Sequence, residues 1–320
     1  MAKRFYRVKR FFLRFLIHAR KVSFPGFDKI PLYDVLVFFS HSIVNGAITT
    51  RASAIAFSFF LALFPALIFL FTLIPYIPVK DFQPQLFLLI RDFLPESTFI
   101  VVEETIQDIL TRPRGDLLSF GFFMTLLFAT NGLSSMMNAF DASLHSFERR
   151  TWYGQRLMAF LLMFILAVLL TLAIVLLTIG PVVIKYLHYN QLLGGQFTYY
   201  LLLAGKWVVV LALFFFAYSF LYYLAPTKKT RWRFISAGGT LSTVLSISVL
   251  LGFGYYITNF SQYNKLYGSI GTLLVVLLLF YIMSLILLIG FELNASLSAA
   301  RRKKRDLLKE PVYIETRMDA

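Results

Sequence analysis

The 320 residues include no cysteine, so disulfides and thiolate metal sites are excluded. Charge is scarce as well. Only 15% of the residues are Asp, Glu, Lys or Arg, against about a quarter in an average soluble chain. Histidine is thinly spread: His18, His41, His145 and His188 fall in separate loop or interfacial segments with no ligand spacing, which argues against a metal centre. There is no Gly-rich Walker sequence, no His-Glu-x-x-His, no Gly-x-Ser-x-Gly and no dinucleotide fingerprint. Without these signatures the chain is expected to be no enzyme and to carry no cofactor and no metal. The N-terminus is basic and aromatic, with Pro25 and Gly26 where a cleavable signal would need an apolar core, so no cleavage is expected.

What the chain has in quantity is apolar surface. Hydrophobic residues make up 58% of it and the mean hydropathy is +0.73, more than a water-soluble fold could hide. A membrane span needs roughly 20 mostly apolar residues at 1.5 Å per residue. Six segments qualify: 52–77, 117–140, 156–184, 200–224, 234–258 and 271–293. Period-two alternation is absent and lipid cannot satisfy an open strand, so the expected fold is an all-α integral membrane protein with six transmembrane helices.

The formal charge of +15 would suggest nucleic acid in a soluble protein, and the placement of the bases decides otherwise. Lys3, Arg4, Arg7, Lys9, Arg10, Arg14, Arg20 and Lys21 precede the first span; Arg149 and Arg150 lie between the second and third; Lys228, Lys229, Arg231 and Arg233 lie between the fourth and fifth. Arg301, Arg302, Lys303, Lys304 and Arg305 follow the sixth. With six spans these clusters share one side, which places both termini in the cytoplasm. There they meet anionic headgroups, so membrane lipids are the expected partners and nucleic acid is not.

Three regions follow: a basic N-terminal part over 1–50, a membrane domain over 51–297 and a basic tail over 298–320. The stretch 32–48 has Leu32, Val35, Leu36, Phe39 and Ile43 near helical spacing, as in a helix lying in the inner interface. On the other side, 82–111 alternates apolar residues with Glu103, Glu104 and Asp108 around Pro95. It reads as two short amphipathic helices capping the outer face, or as a packed hairpin without a partner.

Polar residues within spans are the candidate functional groups. Asn131, Ser134, Ser135 and Asn138 follow the i, i+3, i+4, i+7 spacing and form one stripe, expected to face the bundle interior. Gly239, Ser242, Thr243 and Ser246 repeat the pattern on the fifth span, where helix packing is the competing explanation. Ala54, Ser58, Ala62 and Ala66 make a small-residue ridge on the first span, expected to receive another helix. At the inner boundary Glu292 needs a cation or water, and Arg51 or Arg156 could supply the charge. The alternative is a carboxylate reaching into headgroup water.

With these residues in view the chain resembles the YihY/BrkB family of bacterial inner-membrane proteins, once labelled ribonuclease BN. The resemblance covers roughly 51–297. It rests on ASAIAFSFFLALFP over 52–65, on Asn138 with Glu148 and Arg149, and on Leu224-Ala225-Pro226 leading to Arg231-Trp232-Arg233. The more specific parts are the outer turn NFSQYNKLYGSIG over 259–271 and the ending Gly290-Phe291-Glu292-Leu293-Asn294-Ala295. Phe291 and Ala225 depart from the family pattern, the first where a small residue is usual and the second where a bulkier one is.

The resemblance implies six spans, a place in the bacterial inner membrane and a suspected role in transport or envelope integrity. The expected function is a transporter or flippase for a lipid-like or amphipathic envelope component, with a structural or assembly protein as the alternative. In the transport case Asn131, Asn138, Ser242 and Ser246 would line a cavity. Tyr255, Asn259, Tyr263, Asn264, Lys265 and Tyr267 would surround its outer mouth.

Overall fold

The computed structural model describes residues 47–76, 82–93, 96–144, 150–189, 196–227, 234–259 and 263–309, together with Val37 and Phe39. Eight α-helices lie among them: α1 (Ile48–Leu73), α2 (Phe82–Phe93), α3 (Glu96–Thr111), α4 (Gly115–Ser143), α5 (Trp152–Tyr189), α6 (Gln196–Leu224), α7 (Ala237–Asn259) and α8 (Tyr263–Lys309). No strand occurs among the described residues. A single 3-10 turn, Ile74–Tyr76, extends α1.

Six of the helices are long and apolar enough to cross a membrane, over Ile48–Tyr76, Gly115–Ser143, Trp152–Leu176, Trp207–Leu224, Ala237–Tyr256 and Leu273–Arg302. The chain is an all-α membrane protein with six such helices. Amphipathic α2 and α3 occupy the stretch between the first two spans. The interfacial helix expected over 32–48 lies outside the described residues, except that Val37 and Phe39 are helical and Ile48 opens α1. Ala47 turns the chain into α1 with a left-handed φ of 47°.

One boundary differs from expectation. The stretch 259–271 was expected to be a turn, yet α8 begins at Tyr263, carries Gly268 and Gly271 within it, and continues to Lys309. Glycine costs a helix only about 1 kcal/mol, whereas an open backbone at the membrane leaves polar groups unsatisfied. The helix also carries on through the first part of the basic tail.

The spanning helices form a ring in which neighbours pack in the order α4, α1, α8, α7, α6, α5 and back to α4. One end of the ring holds the start of α1, the ends of α4 and α6, the start of α7 and the last turns of α8; because of Arg150, Arg301 and Arg302 it is called the basic end. At that end the ring is filled. Phe140 of α4 stacks on Phe291 of α8 with centroids 3.9 Å apart and planes 3° from parallel, and Tyr222 of α6 meets both rings edge-on at 5.7 and 5.8 Å. Helices α7 and α8 approach most closely at Gly238 and Gly290, where a Cβ on either residue would collide with the carbonyl of the other.

Candidate functional site

Polar contacts of Arg51, Arg150, Asp141 and Asn294 fasten the helices together at the basic end. Arg51, one turn into α1, donates from Nη1 to the Ala139 carbonyl at 2.8 Å and to Ser143 Oγ at 2.7 Å. Its Nη2 lies 3.6 Å from Glu292 Oε1. The two charges tie α1 to α4 and α8. Glu292 is only 1% exposed, and its second oxygen, Oε2, has no hydrogen-bond partner among the described residues.

Arg150, just before α5, donates to the carbonyls of Leu224, Ala225 and Pro226 at 3.2, 2.9 and 2.9 Å. A guanidinium at a helix C-terminus satisfies orphan carbonyls and meets the negative end of the helix dipole. Burial lowers the pKa of this guanidinium, and the nearby Asp141 carboxylate opposes the shift. Asp141 in turn accepts from the Thr227 amide at 2.8 Å and the Thr227 hydroxyl at 2.6 Å. Asn294 of α8 accepts from the Gly238 amide at 2.8 Å and donates to Ser236 Oγ at 3.0 Å, which fixes the start of α7.

The polar residues of α7 are consumed by helix contacts. Ser242 Oγ lies 2.7 Å from Tyr222 Oη and donates to the Ile286 carbonyl at 3.2 Å. Ser246 Oγ lies 2.5 Å from Tyr218 Oη, and Thr243 donates to its own helix at Gly239. All three are buried.

The stripe on α4 is placed differently from expectation. Its buried face carries Leu133, Met136 and Phe140. At 100° per residue Asn131 and Asn138 sit about 180° and about 160° around the helix from Phe140. They therefore point away from the bundle interior, and Asn138 is exposed while Asn131, Ser134 and Ser135 are half-buried. The stripe lies on the outside of the ring, flanked by α1 and α5. Ser58 of α1, on the small-residue ridge, reaches Ser135 at 3.4 Å. Gln155 of α5 donates to Asn138 Oδ1 at 2.9 Å and to the Ser134 carbonyl at 3.4 Å.

Arg156 is not near Glu292. It donates to Thr130 Oγ1 at 3.0 Å and stands 5.9 Å from the centroid of Trp152, and no carboxylate among the described residues pairs with it. Thr130 is thirteen residues before the end of α4, about 20 Å along the helix axis, so the guanidinium reaches from the second turn of α5 along α4. The stripes of α4 and α7 thus do not converge on one cavity.

Of the outer-mouth residues, Tyr255 is exposed on α7. Asn259 ends α7, and Tyr263, Asn264, Lys265 and Tyr267 occupy the first turns of α8. Their side chains lie outside the described residues.

Sequence reasoning did not single out Tyr218 and Tyr222, which hold Ser246 and Ser242. A signal existed in the matching i, i+4 spacing of the two tyrosines and the two serines. Arg150 stood out only as one of a group of bases; nothing in its neighbourhood announces the carbonyls of α6.

The combination of Glu292 and Asn294 on the sixth span with Arg150 against the Ala225-Pro226 corner coincides with a family match over most of the chain. The family described as Virulence factor BrkB matches residues 40–313. The chain belongs to this family. BrkB-type relatives include a Bacillus subtilis protein named ribonuclease-like protein YfkH, 29% identical over 256 residues, which cover 80% of this chain and 91% of that one. A UPF0761 membrane protein of Alkalilimnicola ehrlichii is 27% identical over 84% of this chain; this BrkB-family chain spans 60% of its length. Another, from Aliivibrio salmonicida, is 24% identical over 88% of each chain. No solved structure matches significantly.

Proposed function

We propose that this BrkB-family membrane protein resides in the bacterial inner membrane with both termini in the cytoplasm, and that it moves a lipid-like amphiphile between leaflets along the outside of the ring. The observation that carries the proposal is the polar stripe of α4 on a face turned away from the core. Polar side chains at membrane depth are costly where they meet hydrocarbon and tend to mark pathways. Asn131, Ser134, Ser135 and Asn138, with Gln155 and Arg156 beside them, offer a headgroup hydrogen bonds over about 10 Å of the roughly 30 Å apolar core. Acyl chains would stay in lipid throughout. The interior offers no comparable route at the basic end, where Phe140, Tyr222 and Phe291 fill it.

The bases at that end support the cytoplasmic assignment and would meet anionic headgroups rather than nucleic acid. Catalysis is not part of the proposal. Among the described residues no three His, Asp or Glu side chains gather as a hydrolytic metal site requires, and the ribonuclease-like name belongs to the Bacillus relative. Purified protein is expected to leave RNA intact; cleavage that disappears in a point variant would reverse this.

A structural or assembly role is the second reading, favoured by the complete use of Ser242, Thr243 and Ser246 in helix contacts. Proteoliposomes carrying fluorescent phospholipids separate the two. Transport predicts translocation faster than in protein-free vesicles for at least one lipid class. Equal rates across several classes would leave the structural role.

A further inference from the structure

At the end of the ring opposite the basic end a cavity of about 830 Å³ lies between the last turns of α1, the second half of α3 and the start of α4. Its volume falls within the range of small-molecule sites. Its walls differ in character. Ile68 and Phe71 of α1, Ile109 of α3 and Leu117 of α4 form an apolar side, while Glu104, Asp108, Arg112 and Arg114 bring charge of both signs to the other.

The charges are arranged as two poles. Asp108 Oδ1 lies 3.1 Å from Arg112 Nε as an ion pair, and Oδ2 accepts from Arg114. One carboxylate beside two guanidiniums leaves a net positive charge, and Asp108 orients Arg114 by a charge-assisted hydrogen bond. Arg112 and Arg114 remain exposed, so most of their N–H donors face solvent or a ligand. Glu104 stands one turn earlier on α3, is exposed, and has no cation within salt-bridge distance among the described residues. A negative pole and a positive pole therefore lie on the same wall, with Glu104 one turn from the Asp108 carboxylate that the two guanidiniums flank.

The apolar wall continues out of the cavity. Ile68 and Phe71 are exposed, and Phe57 and Phe64 extend the same exposed face of α1 toward the basic end. Leu117 precedes Ser135 by eighteen residues, about five turns, and so shares the azimuth of the polar stripe on α4. The cavity and the stripe of Asn131 and Asn138 thus lie on the same side of α4. A ligand suited to it needs an anionic group, a cationic group close by, and an apolar tail lying against α1.

We propose that this cavity binds the headgroup of a zwitterionic, amine-bearing phospholipid, with the phosphate held by Arg112 and Arg114 and the ammonium by Glu104. Guanidinium forks match phosphate oxygens in geometry as well as charge, and a carboxylate accepts the three N–H donors of an ammonium. The inference deepens the lipid reading by naming a headgroup class, and it is tested by binding alone, so that its failure and a failure of translocation are distinguishable.

The test uses the full-length chain, purified in a neutral detergent and titrated by native mass spectrometry with short-chain phosphatidylethanolamine, short-chain phosphatidylglycerol, free phosphoethanolamine and inorganic phosphate. The expected result is phosphatidylethanolamine bound about tenfold more tightly than phosphatidylglycerol, a difference of roughly 1.4 kcal/mol. In Glu104→Gln the preference should fall to within about twofold while the thermal midpoint stays where it was. Arg112→Gln should weaken both lipids together. Equal binding of the two lipids to the unmodified chain, a preference that survives Glu104→Gln, or free phosphoethanolamine or phosphate binding as tightly as the lipid would each overturn the proposal.

Discussion

Glu292 is a carboxylate almost sealed from solvent, and its nearest cation is held by α4 as much as by the charge itself, since Arg51 also bonds to Ala139 and Ser143. Removing one member of a buried pair leaves the other uncompensated, which costs about 3–5 kcal/mol, whereas replacing both by apolar groups is often neutral. Arg51→Ala is therefore expected to destabilise the protein by that amount in denaturant titrations in mixed micelles, and Arg51→Met with Glu292→Met to recover most of it. A double variant no more stable than the single would show that the pair is not the unit. The sequence offered Arg51 and Arg156 as equal partners for Glu292, because both open a span at the same boundary. What separates them is which helices are neighbours: α1 packs against α8, and α5 packs against α4 and α6. Lateral order of this kind leaves no trace in an apolar run.

At the scale of the helices, length and composition were readable and direction was not. Six spans were expected and six are found, because hydrogen-bond satisfaction in lipid forces long apolar helices wherever the chain is apolar for long enough. The polar face of α4 was expected to look inward and looks outward. In water the apolar face of a helix seeks the core, but lipid is as apolar as a leucine, so polarity alone does not fix which face is packed. Close packing does, and on α4 it is set by Gly121 against the backbone of Phe69 and Gly132 against the ring of Phe59. The same rule governs α7 and α8. Gly290→Ala would push a methyl group into Ser242, Tyr222 and the Gly238 carbonyl; the expected loss is at least the 1–3 kcal/mol of an overpacked core. Gly252 has nothing within 4 Å, and Gly252→Ala should leave stability unchanged or raise it by up to about 1 kcal/mol through helix propensity. Thermal melts of the two variants in one detergent compare them directly, and equal loss in both would contradict the close approach of α7 and α8.

For the whole molecule, the ring is closed by side chains at its basic end, while a polar stripe lies on its outside from Asn138 to Asn131 and a charged cavity lies beside α3 at the other end. Orientation is the first consequence to check: reporter fusions after Glu104 should read as periplasmic and fusions after Lys229 as cytoplasmic, and the opposite result at either position would invert the scheme. The decisive measurement concerns the stripe itself. Asn131→Leu with Asn138→Leu exchanges two amides for apolar side chains on a face turned away from the core. If that face meets lipid, thermal stability should hold or rise, since the hydrogen bond between Gln155 and Asn138 is worth only about 0.6 kcal/mol, and lipid translocation in proteoliposomes should fall to the protein-free rate. Translocation unchanged in a stably folded variant would contradict the account, as would a collapse of stability showing that the asparagines hold the helices together.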